Sequence, residues 1–119
     1  MEVLLDSNFI IACVKEKIDF ITQLEEQGFK VSLPLEVYQE LKDLKYKVSQ
    51  ADREAIKIAF EIFEKIGIKK TKLGNDAVDR ELIKKGKQGC FIATLDAAIK
   101  KEIPNKVIIF TSQKRIGIE

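Results

Sequence analysis

A chain of 119 residues, 45% apolar and 34% charged, is sized for one domain built on one core, spanning 1–119. It contains no histidine, which excludes Ser-His-Asp and Cys-His catalysis, His-ligated zinc and imidazole general bases. No apolar run approaches the ~20 residues of a membrane span, no signal-peptide pattern opens the chain, and a net charge of +2 does not by itself mark a nucleic-acid partner. The expectation is a cytoplasmic protein that does not contact a membrane and whose chemistry, if any, falls to carboxylates, lysines or hydroxyls.

The chain opens with a strand over 2–5 (EVLL), which runs directly into Asp6-Ser7-Asn8. Residues 8–15 and 19–27 read as a broken helical segment closed by Gly28, a residue type favoured just past a helix end. A second strand, FKVSL over 29–33, stops at Pro34, and 36–47 is helical with Val37, Leu41, Leu44 and Val48 along one face. Ser49-Gln50-Ala51-Asp52 resembles a capping box for a helix running to about Lys65. There follow a short third strand at 66–69, a helix over 75–85 ending at Gly86, and strand CFIAT at 90–94. A helix over 96–102 and strand VIIFT at 107–111 complete the pattern. Cys13 and Cys90, isolated in apolar stretches, read as reduced packing residues.

Strand and helix alternate throughout, and the strands are continuous apolar runs. This is the pattern of a parallel sheet covered on both faces, a three-layer α/β/α domain. Ligands of such sheets bind beyond the carboxyl ends of the strands. Asp6 follows the first strand directly, and Asp96 follows the fourth in the stretch ATLD. Glu40 lies about 60° from the apolar stripe of its helix and Glu36 about 100° away, so Glu40 flanks the buried face and Glu36 is expected in solvent. Asp79 shares a helix face with Leu82 and Ile83, and Asp76, three residues earlier, is a candidate extra acid on that face. Each acid taken singly is also explained as a helix cap or a surface charge. Taken together, four converging carboxylates repel one another unless a cation sits among them. An all-oxygen set suits Mg²⁺ or Mn²⁺, and with it phosphodiester hydrolysis.

The order Asp6-Ser7-Asn8, then Pro34-x-x-Val37-x-x-Glu40-Leu41, then Asp79, then Thr94-Leu95-Asp96 resembles the PIN-domain ribonucleases over nearly the whole chain. The resemblance implies a five-stranded parallel sheet in the order 3-2-1-4-5, with the first and fourth strands adjacent. It implies an acidic quartet of Asp6, Glu40, Asp79 and Asp96 as catalytic and metal-binding residues, supported by the polar Asn8 and Thr94. The implied activity is Mg²⁺- or Mn²⁺-dependent endonucleolytic cleavage of RNA. The helix over 49–65 and the stretch from Gly74 onward look closer to archaeal rRNA-processing PIN nucleases than to compact VapC-type toxins.

Two other readings stand beside this one. One is a catalytically silent PIN fold that binds RNA or protein. The other is an aspartyl-nucleophile phosphatase, against which Asn8 occupies the position where a second acid is wanted. The sequence displays no aromatic stacking platform and no separate RNA-binding module. RNA specificity is therefore expected from the lysine clusters Lys84, Lys85, Lys87 and Lys100, Lys101, from a homodimer groove, or from a partner such as an antitoxin or a ribosome-assembly protein. Lysine runs of this kind are also explained as solvated faces.

Overall fold

Side chains alternate across a strand, and in the first strand Val3 and Leu5 point to one face of the sheet while Leu4 points to the other. All three are buried, so both faces must be covered. The computed structural model describes residues 1–119 and shows how. Strands β1 (Glu2–Leu5), β2 (Lys30–Pro34), β3 (Lys69–Thr71), β4 (Phe91–Ala93) and β5 (Lys106–Phe110) run parallel, and β6 (Arg115–Ile118) pairs antiparallel with β5. Their order is β3-β2-β1-β4-β5-β6.

Helices α1 (Ser7–Lys15), α2 (Phe20–Glu26), α3 (Leu35–Leu44) and α4 (Gln50–Ile66) contribute to a core of 20 buried residues on the Val3/Leu5 face. Helices α5 (Val78–Lys87) and α6 (Ala97–Lys100) cover Leu4 and Ile92 on the other face with a core of six. The expected three-layer architecture and the 3-2-1-4-5 order of the parallel strands both hold. No helix is long and apolar enough to cross a membrane. Cys13 and Cys90 are free thiols; burial pushes the first up to about 12 and raises the second, which keeps both protonated.

The sheet has six strands rather than the expected five. A 3₁₀ turn over Thr111–Gln113 and a left-handed Lys114 (φ 48°) reverse the chain after β5. Residues 115–118 then fold back in register, from Phe110 opposite Arg115 to Val107 opposite Ile118. The outer edge of β6 is anchored at Ile116 by Gln23 of α2 and by Gln27, the C-cap of that helix: Gln23 Oε1 accepts the Ile116 N–H at 2.7 Å, and Gln27 Nε2 donates to the Ile116 carbonyl at 3.1 Å.

Other boundaries shift for local reasons. Helix α4 is capped by Ser49, as expected, and continues to Ile66. It ends only at Gly67, whose φ of 62° lets the Ile68 N–H return to the Phe63 carbonyl. This moves β3 to 69–71 instead of 66–69. Helix α5 begins at Val78 instead of 75, because the Asp76 carboxylate takes the Ala77 N–H at 2.7 Å and holds a turn there. Gly86 lies inside α5 rather than at its end. A side chain there would collide with Ile103, so the glycine serves close packing.

Candidate functional site

Strands β1 and β4 are neighbours, so the residues that follow them meet at the end of the sheet where the strand order turns in opposite directions. The backbone N–H of Asp6 donates to the Ala93 carbonyl at 2.9 Å, which carries the β1–β4 ladder one residue past β1. Asp6 N-caps α1, accepting the Ser7 N–H on Oδ1 at 2.9 Å, and its Oδ2 accepts the Thr94 hydroxyl at 2.7 Å. Asp96 N-caps α6 through the Ala98 N–H at 2.9 Å, while its own N–H donates to Thr94 Oγ1 at 3.1 Å. Thr94, fully buried, thus links the two strand-end acids. Asn8 Oδ1 accepts the Leu95 N–H at 3.0 Å and ties α1 to the segment before Asp96. The capping explanation of Asp6 and Asp96 is correct, and each cap leaves its carboxylate at the same end of the sheet.

The helices bring the other two acids. Glu40 projects from α3 and accepts the Ser7 hydroxyl at 2.5 Å. Asp79 lies in the first turn of α5, exposed, where the helix dipole favours an anion and its Oδ1 takes the Arg80 N–H at 2.9 Å. Asp6, Glu40, Asp79 and Asp96 all line one open cleft of about 450 Å³, with Ser7, Asn8 and the apolar Ala77, Val78 and Ile99. No lysine or arginine is part of its wall. Burial pushes the Asp6 carboxyl above its ordinary value. Hydrogen bonds from Thr94 and Ser7 pull it back, and the charges of Glu40 and Asp96 push it up further.

No three of the carboxylate and thiol side chains stand close enough to hold one ion as they are arranged. The donor chemistry nonetheless fits a hard divalent cation. The cleft offers four carboxylates with hydroxyl and amide oxygens, it has no cationic side chain to neutralise them, and Asp6 is held against two other negative charges.

The remaining expected site residues fall elsewhere. Asp76 is outside the cleft wall, bound to the Ala77 N–H and 3.4 Å from the Arg80 guanidinium. The structure does not bring Lys84, Lys85, Lys87, Lys100 or Lys101 to the cleft. Lys84 pairs with Glu81 at 3.0 Å and Lys87 reaches Glu102 at 3.8 Å. The three lysines of α5 sit near its C-terminal end, so Lys87 is about 12 Å along the axis from Asp79 at 1.5 Å per residue. Glu36, expected in solvent, instead accepts the N–H groups of Leu73 (3.0 and 3.1 Å) and Gly74 (3.3 Å), fixing the segment that leads to Asp79. Ser7 was legible only as a capping residue; its hydroxyl, aimed at Glu40 from another element, gives no local signal.

No curated protein matches the chain. A family model described as PIN like domain matches residues 3–114, from β1 to the turn before β6, and the chain belongs to the PIN-like domain family.

Proposed function

We propose that this protein is a metal-dependent endoribonuclease that hydrolyses RNA phosphodiester bonds at the cleft formed by Asp6, Glu40, Asp79 and Asp96. PIN-like domains are nuclease-type in general; RNA as substrate and metal dependence are the finer reading. The observation that carries it is the gathering of four carboxylates from four elements in one cleft wall that holds no lysine or arginine. These four would hold Mg²⁺ or Mn²⁺, which when bound supplies Lewis acidity toward a phosphoryl oxygen and an activated water. With no histidine in the chain, the protein's own contribution is to bind and orient. Thr94 and the Ser7 N–H fix both oxygens of Asp6, and the Ser7 hydroxyl fixes one oxygen of Glu40. Partners of this kind keep a ligand set in one geometry.

The test is cleavage of a labelled single-stranded RNA in Mn²⁺ and in EDTA by wild type and Asp96→Asn. Asn is as good an N-cap as Asp, so α6 and the fold should persist. Metal-dependent cleavage should be lost in the variant. Equal cleavage by wild type and variant, in preparations shown free of contaminating nuclease, sinks the reading. RNA binding by wild type without any cleavage would favour the catalytically silent fold instead.

A further inference from the structure

On the far side of α3 from the cleft, residues 38–46, along and just past α3, form a groove with side chains of α4 and β3. Tyr38 and Lys42, one helical turn apart, lie about 160° around α3 from Glu40. The Tyr38 ring packs against Phe60 of α4, centroids 5.2 Å apart and tilted by 60°. Lys42 Nζ stands 4.5 Å from the Tyr38 centroid, and Lys70 Nζ, arriving from β3, stands 5.3 Å from it. Tyr46, 78% exposed just past α3, carries Lys45 Nζ 5.2 Å from its own ring. These groups border a groove of about 500 Å³.

We infer that this groove is a second RNA-binding site, where the exposed Tyr46 stacks on an unpaired base, Tyr38, covered by Phe60 and two lysines, forms the floor, and Lys42, Lys45 and Lys70 meet the flanking phosphates. The inference rests on the proposed RNA substrate and extends it to single-stranded RNA long enough to cross α3. Aromatic faces accept any base, and lysines beside them supply contacts to the backbone. A protein partner fits less well, because protein interfaces enrich tyrosine but deplete lysine, whereas here each tyrosine ring has at least one ammonium group over it. Asp43 and Glu64 share the wall, so stacking rather than net charge is to supply most of the affinity. A strand with its scissile bond in the cleft must pass over α3, whose width with side chains is about 10–12 Å. Short oligomers therefore cannot occupy both places.

The chain has two tyrosines and no tryptophan, and both tyrosines lie in this groove, so tyrosine emission reports its occupancy without a label. In EDTA, where metal-dependent cleavage cannot proceed, an unstructured single-stranded RNA oligonucleotide should quench this emission saturably, and a dinucleotide at the same concentration should not. Tyr46→Ala, which removes an exposed ring and leaves the fold intact, should weaken binding of the oligonucleotide, followed by anisotropy of labelled RNA, about tenfold. Lys70→Gln should weaken it too. RNA binding that leaves tyrosine emission unchanged overturns the inference, as does unchanged affinity in Tyr46→Ala or failure to bind RNA at all. Emission that instead follows protein concentration in step with dimerisation assigns the groove to a second copy and also overturns it. The two readings fail separately: Asp96→Asn should still show the quench, and a Tyr46→Ala protein that cleaves and binds like wild type would remove the groove but not the nuclease.

Discussion

At Asp6 one carboxylate oxygen takes the Ser7 N–H and the other the Thr94 hydroxyl, while Glu40 and Asp96 share the same cleft wall. Both hydrogen bonds survive in Asp6→Asn, because an amide oxygen still caps α1 and the Thr94 hydroxyl can turn to accept from the amide N–H₂. What the substitution removes is a buried negative charge facing two others. Without metal, Asp6→Asn should therefore melt no lower than wild type at neutral pH. The sign of the pH dependence follows from the raised carboxyl of Asp6. A folded state that binds its proton more tightly than the unfolded chain is favoured at low pH, and the advantage falls away as pH rises from the ordinary aspartate range through the raised value. The variant should lack that decline. Thermal melts of both proteins in EDTA across this range check it. A variant that melts far below wild type at every pH would make Asp6 a structural cap and nothing more.

The connection between β3 and α5 is an element-scale counterpart. Residues 72–77 carry little apolar surface of their own beyond the buried Leu73, and Glu36 of α3 holds them by the N–H groups of Leu73 and Gly74. Partial burial pushes the Glu36 carboxyl up, but the N–H groups of Leu73, of Glu36 itself and of Gly74, with the Lys72 charge, outweigh it and the net effect is downward. A lowered carboxyl stabilises the fold above the ordinary glutamate range, and that contribution is lost as pH falls through the lowered value. Glu36→Gln should cost about 1 kcal/mol at neutral pH, less than a buried charge-assisted bond because the group is partly exposed. It should also speed hydrogen exchange at the Leu73 and Gly74 amides. Unchanged exchange there would show that the segment needs no tether. The helical wheel placed Glu36 correctly, off the apolar stripe, yet could not show its partner, which is 37 residues later in the chain. The β6 hairpin escaped for a similar reason: RIGI is only four residues long and includes a glycine, and its docking on β5, Gln23 and Gln27 makes it a strand. The strand-end acids, by contrast, were legible because an apolar run ending on Asp6 or Asp96 is a local pattern. Tyr38, Lys42, Lys45 and Tyr46 stand together in the stretch 38–46, but Phe60 of α4 and Lys70 of β3, which complete the groove, join them only in three dimensions.

Over the whole molecule, the four acids arrive from both layers of helices. Glu40 rides on α3 above the larger core, Asp79 on α5 above the smaller one, and Asp6 and Asp96 stand at the ends of strands shared by both. The α/β/α order was legible from alternating segments, but the cleft exists only once both cores have formed around the sheet. An unfolded chain scatters these carboxylates, so a divalent ion that uses them together binds the folded state alone. Such an ion stabilises by linkage, about 2.7 kcal/mol at a hundred times its dissociation constant. For a domain of this size that corresponds to a rise in melting temperature of about 10 °C. Wild type should show this rise in Mn²⁺ and lose it in EDTA. Asp6→Asn, which keeps the cap but loses a charged ligand, should gain much less. The order of the two melting temperatures therefore depends on metal: the variant is level with or above wild type in EDTA and below it in Mn²⁺. Melting curves that keep the same order and spacing in both conditions would mean that the acids meet without sharing an ion, and the metal-dependent reading of the cleft would fail with them.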